Sequence, residues 1–174
     1  MAMRLSVTLE GFAAECADLI QGNRNAQCHP DEQYPAWETH LPDLGAYPAD
    51  ENGWRHLNQG LASRCLNLTN KLVGSRSLIR DTIEYIDDEI EERVEIEAAS
   101  RGMEAWQLAS ELRSTRGLPA ADLVWDFLPT LRSGQRSMET REEEQKEQRR
   151  QRAIEKAAGL HPPSFDALNH HDQR

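Results

Sequence analysis

Long apolar runs are absent from this 174-residue sequence, in which 38% of the residues are hydrophobic and 29% are charged. A membrane-spanning helix needs about 20 mainly apolar residues in succession, so no such segment is expected. The N-terminus also lacks the apolar stretch of a secretory signal. Cysteine is scarce as well: Cys16, Cys28 and Cys65 are odd in number and form no C-x-x-C pair, which argues against a disulfide framework. We therefore expect a cytoplasmic protein.

Motifs of catalysis and metal binding are equally scarce. The sequence contains no G-x-S-x-G and no glycine-rich phosphate loop. Zinc sites normally pair their ligands two to four residues apart, whereas Cys28 and His29 are adjacent and His40 stands alone. We predict no catalytic residue, metal or cofactor, and a non-enzymatic role is favoured over an enzymatic one.

Basic residues are outnumbered, with 20 Lys and Arg against 30 Asp and Glu and a net charge of -10. Binding to a phosphate backbone needs clustered Lys and Arg, so direct nucleic-acid binding is not expected. The charge suits a basic protein partner, or a protein that imitates nucleic acid. The mean hydropathy of -0.75 is low for a globular protein, which indicates that part of the chain lies outside the core.

Apolar residues recur at helical spacing along most of the chain and predict an all-α fold, a bundle of about five helices over residues 1–132. The first helix illustrates the pattern, because its apolar residues fall at intervals of three and four; they are Leu5, Leu9, Phe12, Cys16 and Leu19. The predicted helices cover about residues 5–21, 50–73, 77–98, 103–115 and 119–131. The first four are expected to end at Gly22, Gly74, Gly102 and Gly117, and Pro129 is expected to kink the fifth or end it early.

A long irregular loop is predicted over residues 23–50, where four prolines exclude a helix. Loops of this length are uncommon in compact domains unless they are functional or disordered. Tyr34, Trp37 and Tyr47 lie in the loop, and such large rings favour burial. Packing of these rings on the chain's own helices is favoured over docking on a partner, but both alternatives stay open.

The stretch over residues 77–98 is predicted to be the central helix of the bundle. Between Asp81 and Glu97 there are nine acidic residues and one basic residue. The apolar side consists of Ile79, Ile83, Ile86, Ile90 and Val94, and the opposite side is an acidic ridge of Asp81, Glu84, Asp88, Glu91 and Glu95.

Three interpretations of the acidic ridge compete: a solvated helix face, a docking surface for a basic partner or imitation of DNA phosphates, and a Mg²⁺ site. All-helical nucleotide pyrophosphohydrolases hold Mg²⁺ with paired acids on facing helices. Asp81-x-x-Glu84 and Asp88-x-x-Glu91 have such a spacing, but the facing acidic pair is missing from the preceding predicted helix.

The C-terminal part changes character. Residues 133–158 are predicted to be a charged helical extension, with a joint at residues 133–135 and a capping box of Thr140 and Glu143. Such a helix has no apolar face to bury. Residues 159–174 are predicted to be a flexible tail.

Together these features predict a non-enzymatic protein–protein interaction module: an accessory subunit, adaptor or inhibitor that acts through an acidic helix face, an aromatic loop and a polar C-terminal arm. The alternatives are an acidic nucleic-acid mimic and a Mg²⁺-dependent all-α nucleotide pyrophosphohydrolase. The candidate partner-binding residues are Tyr34, Trp37, Tyr47, Asp81, Glu84, Asp88, Glu91 and Glu95.

Overall fold

A computed structural model of the chain describes residues 1–28, 37–85 and 90–157, and this part of the chain is helical with no strand. The predicted all-α class is confirmed. None of the described helices is long and apolar enough to cross a membrane. The chain divides into two compact units, residues 1–137 and 138–174. The described helices are α1 (Ala2–Cys28), α2 (Glu51–Arg55), α3 (Gln59–Tyr85), α4 (Ile90–Thr115) and α5 (Leu128–Ala157).

Helix α4 is the central element of the first unit, and α1 packs against it in the antiparallel direction. Glu10, near the start of α1, pairs with Arg113, near the end of α4, at an Oε1–Nε distance of 2.5 Å. Arg24, near the end of α1, pairs with Glu95, near the start of α4. The central position belongs to α4 rather than to the predicted helix over residues 77–98.

The predicted single helix over residues 77–98 is wrong. Its first half belongs to α3 and its second half to α4, and these two helices run antiparallel. Lys71 Nζ lies 2.5 Å from Glu104 Oε1, and Ser75 Oγ donates to Glu97 Oε2 at 2.6 Å. A helical repeat of apolar residues does not reveal a reversal of the chain, because two helices of one hairpin can carry the same repeat.

The apolar face predicted for that helix is accordingly divided. Ile79 and Val94 are buried and Ile90 is half-buried, whereas Ile83 is 47% exposed. Ile86 lies outside the described residues. The five side chains therefore do not form one continuous core face.

Three glycines that were expected to end helices lie inside them instead, so those predicted ends are wrong. Gly22 lies within α1, Gly74 within α3 and Gly102 within α4. A glycine inside a helix costs about 1 kcal/mol relative to alanine, which tertiary packing offsets. At Gly102 the packing is evident, because a Cβ there would lie 2.8 Å from Cys16 Cβ.

Gly117 does end a helix, as predicted. Its φ of 61° is left-handed, a conformation that glycine adopts at little cost. Gly117 N donates to Ser114 O at 3.3 Å, and Leu118 N donates to Arg113 O at 2.9 Å. These two hydrogen bonds form a Schellman motif, which satisfies the last carbonyl groups of α4.

The helix predicted over residues 50–73 is two helices. Asp50 caps α2 as expected, since its Oδ1 accepts from Gly53 N at 2.9 Å. However, α2 ends at Arg55, and Asn58 begins a new helix by accepting from Gly60 N at 2.9 Å. The second cap was not predicted, because the apolar repeat continues across the break.

Residues 37–57, called the covering segment below, run back along α1 on the side that faces α3. The Asn23 side chain exchanges two hydrogen bonds with the backbone of Glu38, at 2.8 and 2.9 Å. At the other end of α1, a Cβ at Gly53 would lie 2.4 Å from Met1 Cβ. The covering segment thus passes from the end of α1 to its start.

The fifth helix begins later than predicted. Residues 118–127 are not helical, and α5 begins at Leu128, with Pro129 in its first turn. Proline is favoured there because its missing N–H has no partner in the first turn. Pro129 therefore opens the helix that it was expected to end. The predicted joint at residues 133–135 lies inside α5, so that prediction is also wrong.

One contiguous hydrophobic core joins α1, the covering segment, α3, α4 and the first turns of α5. The burial of the predicted apolar face of α1 is confirmed, because all five side chains are buried. The loop that precedes α5 contributes Phe127, whose ring meets that of Trp106 edge-on at 5.5 Å.

The second unit is described up to Ala157, and this part is helical. Between Glu139 and Ile154 every described side chain is exposed except that of Arg141, which is half-buried. The capping box predicted at Thr140 and Glu143 lies inside α5 and does not start a helix. The predicted tail over residues 159–174 lies outside the described residues.

Two glycine substitutions test the close packing of α4 and α5. In Gly134→Ala the new Cβ would lie 2.5 Å from Ala99 Cβ, so we expect the free energy of unfolding to fall by about 1–3 kcal/mol. In Gly22→Ala the new Cβ meets no atom within 4 Å, so we expect a rise of about 0.5–1 kcal/mol from helix propensity. Urea unfolding followed by circular dichroism measures both, and changes of the same sign would contradict the packing described here.

Candidate functional site

The five acidic candidates do not form one ridge. Asp81 and Glu84 lie in the last turns of α3, whereas Glu91 and Glu95 lie in the first turns of α4. Asp88 lies outside the described residues. Because α3 and α4 run in opposite directions, the spacing of three and four residues that joined these acids in the sequence does not place them on a common helix face.

Two of the acids are engaged by α1. Gln27 Nε2 donates to Glu91 Oε2 at 2.5 Å. The Arg24 guanidinium pairs with the Glu95 carboxylate, with Nε to Oε2 at 3.2 Å, and its Nη2 also donates to Ser133 Oγ at 3.3 Å. The Glu95 carboxylate thus lies where α1, α4 and α5 meet, and its observed contacts hold those helices together.

The other two acids are free toward the described part of the chain. Asp81 and Glu84 are exposed, and neither forms a hydrogen bond or ion pair with a described residue. Ile83, which lies between them in sequence, exposes 47% of its surface. We call these three residues the α3 end. At 100° per residue Ile83 lies about 100° from Glu84 and about 160° from Asp81 around the helix, so the α3 end has an apolar and an acidic side in the same last turns.

A groove of about 380 Å³ lies next to the α3 end, between α3 and the covering segment. Arg76 fixes one wall, because its Nη2 donates to Pro42 O at 2.8 Å and to Asp43 Oδ1 at 2.6 Å. The apolar lining includes Leu41, Ile79 and Ile83, and the polar lining includes His40 and Arg80. Ile83 therefore belongs both to the exposed surface and to the groove.

The aromatic candidates pack on their own bundle. Trp37 and Tyr47 are half-buried against the hydrophobic core. Tyr47 Oη donates to Cys65 O at 2.7 Å, and its ring lies 5.9 Å from that of Trp54. Self-packing, the favoured alternative, is thus what these two rings do, and their role in partner binding stays a prediction. Tyr34 lies outside the described residues.

Two buried polar pairs were not predicted. Glu97 is 8% exposed and accepts from Ser75, and Arg113 is 8% exposed and binds both carboxylate oxygens of Glu10, at 2.5 and 2.8 Å. The hydrogen bonds that Arg113 donates to the Glu10 carboxylate raise the pKa of Arg113. A buried charge needs such partners. The burial of Glu97 could have been inferred from the sequence, because Glu97 follows the apolar Val94 by three residues and so lies on the same helix face.

A metal site is the remaining question. Within residues 1–28, 37–85 and 90–157, no group of three or more His, Cys, Asp or Glu side chains is arranged to hold a metal ion. Two acidic pairs were considered for the hydrolase alternative. Asp81 and Glu84 of the first pair both lie in α3, and Asp88 of the second pair lies outside the described residues.

The Tyr47 hydroxyl offers a test of how the covering segment is held. Tyr47→Phe removes its hydrogen bond to Cys65 O, so we expect a loss of about 0.5–1.5 kcal/mol in the free energy of unfolding at pH 7. Burial raises the pKa of the Tyr47 phenol above its ordinary value of 10.0. The protonated Tyr47 phenol therefore stabilises the folded state below about pH 10. This contribution to the free energy of unfolding is lost as the pH rises further, because the Tyr47 phenol of the unfolded chain loses its proton at a lower pH than that of the folded chain.

The difference between wild type and Tyr47→Phe should therefore narrow when urea unfolding is repeated between about pH 9 and pH 11. A difference that stays constant over this range would contradict the burial of the phenol, because phenylalanine has no proton to release.

No protein-family model, curated protein or solved structure matches this chain. The geometry of the α3 end and its groove is therefore the basis on which a function can be proposed.

Proposed function

We propose that this chain is a non-enzymatic protein–protein interaction module, an accessory subunit, adaptor or inhibitor, whose docking surface is the α3 end with its adjoining groove. The partner segment that fits is basic and carries an apolar side chain. The observation that carries the proposal is that the last turns of α3 combine the exposed side chain of Ile83 with the exposed carboxylates of Asp81 and Glu84, which have no partner among the described residues.

The charges of α3 support this choice of surface. Three basic residues earlier in the helix have intramolecular acidic partners: Arg64 pairs with Glu111 and Lys71 with Glu104, each at 2.5 Å, and Arg76 pairs with Asp43 at 2.6 Å. Arg80, directly before Asp81, forms no ion pair with a described residue and leaves the α3 end with a local excess of one negative charge. The carboxylates of the α3 end have no such partner among the described residues. Unneutralised charges attract an oppositely charged partner from a distance and orient it.

Apolar contacts in the groove would supply binding energy beyond that of the charges. Interfaces typically gain most of it from a few side chains buried at the centre, surrounded by a polar rim. Ile83 and Ile79 line the groove, and Leu41 of the covering segment faces the same space. An apolar side chain of the partner would enter the groove at Ile83, and its basic residues would reach around the last turns of α3 to Glu84 and Asp81.

The aromatic loop and the polar C-terminal arm, the other two predicted contact regions, have different roles. The covering segment forms one wall of the groove, so its aromatic packing supports the docking surface from behind. The helix of residues 138–157 is a second contact region, the polar arm, because its described side chains between residues 139 and 154 are almost all exposed. A helix with so little burial is stabilised when a partner covers it.

Charge reversal tests the docking surface. The full chain, immobilised by a tag, is used to capture partners from an extract of its native cells, and the captured protein is then purified for quantitative binding. We expect Asp81→Lys/Glu84→Lys to weaken binding by at least about tenfold, or about 1.4 kcal/mol, because the reversed charges repel a basic partner. Binding to wild type should also weaken as the salt concentration rises.

The matched control is Asp18→Lys/Asp122→Lys, which changes the net charge equally at two exposed sites outside α3 and the covering segment. The control should bind like wild type, and circular dichroism should show all three proteins folded. Equal binding by the Asp81/Glu84 variant and wild type would overturn the docking surface. If DNA competes for the captured protein, the module acts as a nucleic-acid mimic through the same two carboxylates.

A further inference from the structure

The outer face of α3, opposite the core, is free of charged residues over about four turns, from Ser63 to Ser77. Buried residues such as Leu61, Leu68 and Leu72 occupy one side of the helix. The exposed residues within an arc of about 120° on the opposite side, placed at 100° per residue, are Ser63, Leu66, Thr69, Asn70, Val73 and Ser77. An exposed surface without charge is unusual in a chain with 29% charged residues.

Two apolar side chains dominate this face. Leu66 is 54% exposed and Val73 is 64% exposed. They are seven residues apart, which places them two turns apart on the same side of the helix. Asn70 lies between them. A pair of large exposed apolar side chains in register along one helix face is the pattern of a helix–helix contact.

The charges at the edges of the outer face are held away from it. Arg64 and Lys71 flank it on the α4 side, and both pair with carboxylates of α4. Arg76 flanks it on the other side and pairs with Asp43 of the covering segment at 2.6 Å. Between Ser63 and Ser77 the outer face is therefore uncharged and the charges beside it are paired. On the same side of the helix, charge resumes at Arg80, Asp81 and Glu84.

This neutrality favours one kind of occupant. Two copies of a chain with a net charge of -10 repel each other over most of their surfaces, and the repulsion is smallest where neither copy contributes charge. We propose that the outer face of α3 binds the outer face of α3 in a second copy of this chain, forming a symmetric dimer. This inference goes beyond the proposed function, because it uses the uncharged stretch of residues 63–77, which precedes Asp81 and Glu84 on the same side of α3.

The geometry specifies the arrangement of the two helices. A two-fold axis near Asn70 makes them antiparallel, so that Leu66 of each copy meets Val73 of the other. The Asn70 amide both donates and accepts, so it can bond to its own symmetry mate. An antiparallel arrangement also separates the two Asp81 residues by about 33 Å, whereas a parallel one would place the acidic α3 ends side by side.

Sedimentation velocity of the full chain over a range of concentrations tests the dimer. We expect wild type to dimerise and Leu66→Glu/Val73→Glu to weaken the association by at least about 100-fold. Val124→Glu is the matched control, since Val124 is fully exposed in the loop that precedes α5, and it should dimerise like wild type. Leu66→Ala/Val73→Ala, a gentler variant, should weaken the dimer, and circular dichroism checks that each variant is folded.

Cysteine cross-linking tests the orientation. In a Cys28→Ser background, which removes the exposed native thiol, Asn70→Cys should form a disulfide-linked dimer on oxidation. Ser63→Cys should not, because the two positions would be about 21 Å apart. Equal cross-linking of both variants would overturn the antiparallel arrangement.

A wild-type chain that stays monomeric at all concentrations would overturn the dimer and would leave this face to a different protein. A dimer that survives Leu66→Glu/Val73→Glu would overturn the outer face of α3 as its interface. Dimerisation is measured on the chain alone and docking with the purified partner, so failure of the dimer and failure of the proposed docking surface are separate results.

Discussion

Close contact between backbones at small residues is the constraint on which the first unit depends. Gly102 allows α4 to approach both Cys16 of α1 and Leu131 of α5, and Gly134 allows α5 to approach Ala99. Side chains at these places would separate the helices and open cavities around the neighbouring leucines. Ion pairs near both ends of the α1–α4 contact then fix how the two helices align. A packed centre with charged ends defines one register for the pair.

This constraint explains why some of the fold could be predicted from the sequence and some could not. The all-α class, the apolar face of α1, the cap at Asp50 and the stop at Gly117 follow from local rules, and the structure bears them out. A glycine can have either of two structural roles: it can end a helix, or it can let a neighbouring helix pack closely. The tertiary structure decides which role applies, so the helix end predicted at Gly102 is wrong while the one predicted at Gly117 is correct.

The acidic residues of the candidate site could likewise be predicted only in part from the sequence. Their charge and spacing can be read from the sequence, but their partners cannot, because Arg24 and Gln27 lie more than 60 residues before the acids that they contact. The structure thus separates acids that hold helices together from acids that are available for binding. Asp81 and Glu84 belong to the second group. The groove beside them could not have been foreseen, since it depends on where the covering segment crosses α3.

The pairing of α1 with α4 also bears on how the protein is made. Glu10 and Arg113, which join these helices, are 103 residues apart in the chain, whereas α3 and α4 are neighbours in sequence and can form a local hairpin. Contacts between distant segments form late, because the chain must close a long loop first. During synthesis, the part of α1 that packs on α4 stays uncovered until α4 has left the ribosome. Among the described helices, α1 is made first and is among the last to be fully buried, so it is the helix with which a chaperone would have most time to associate.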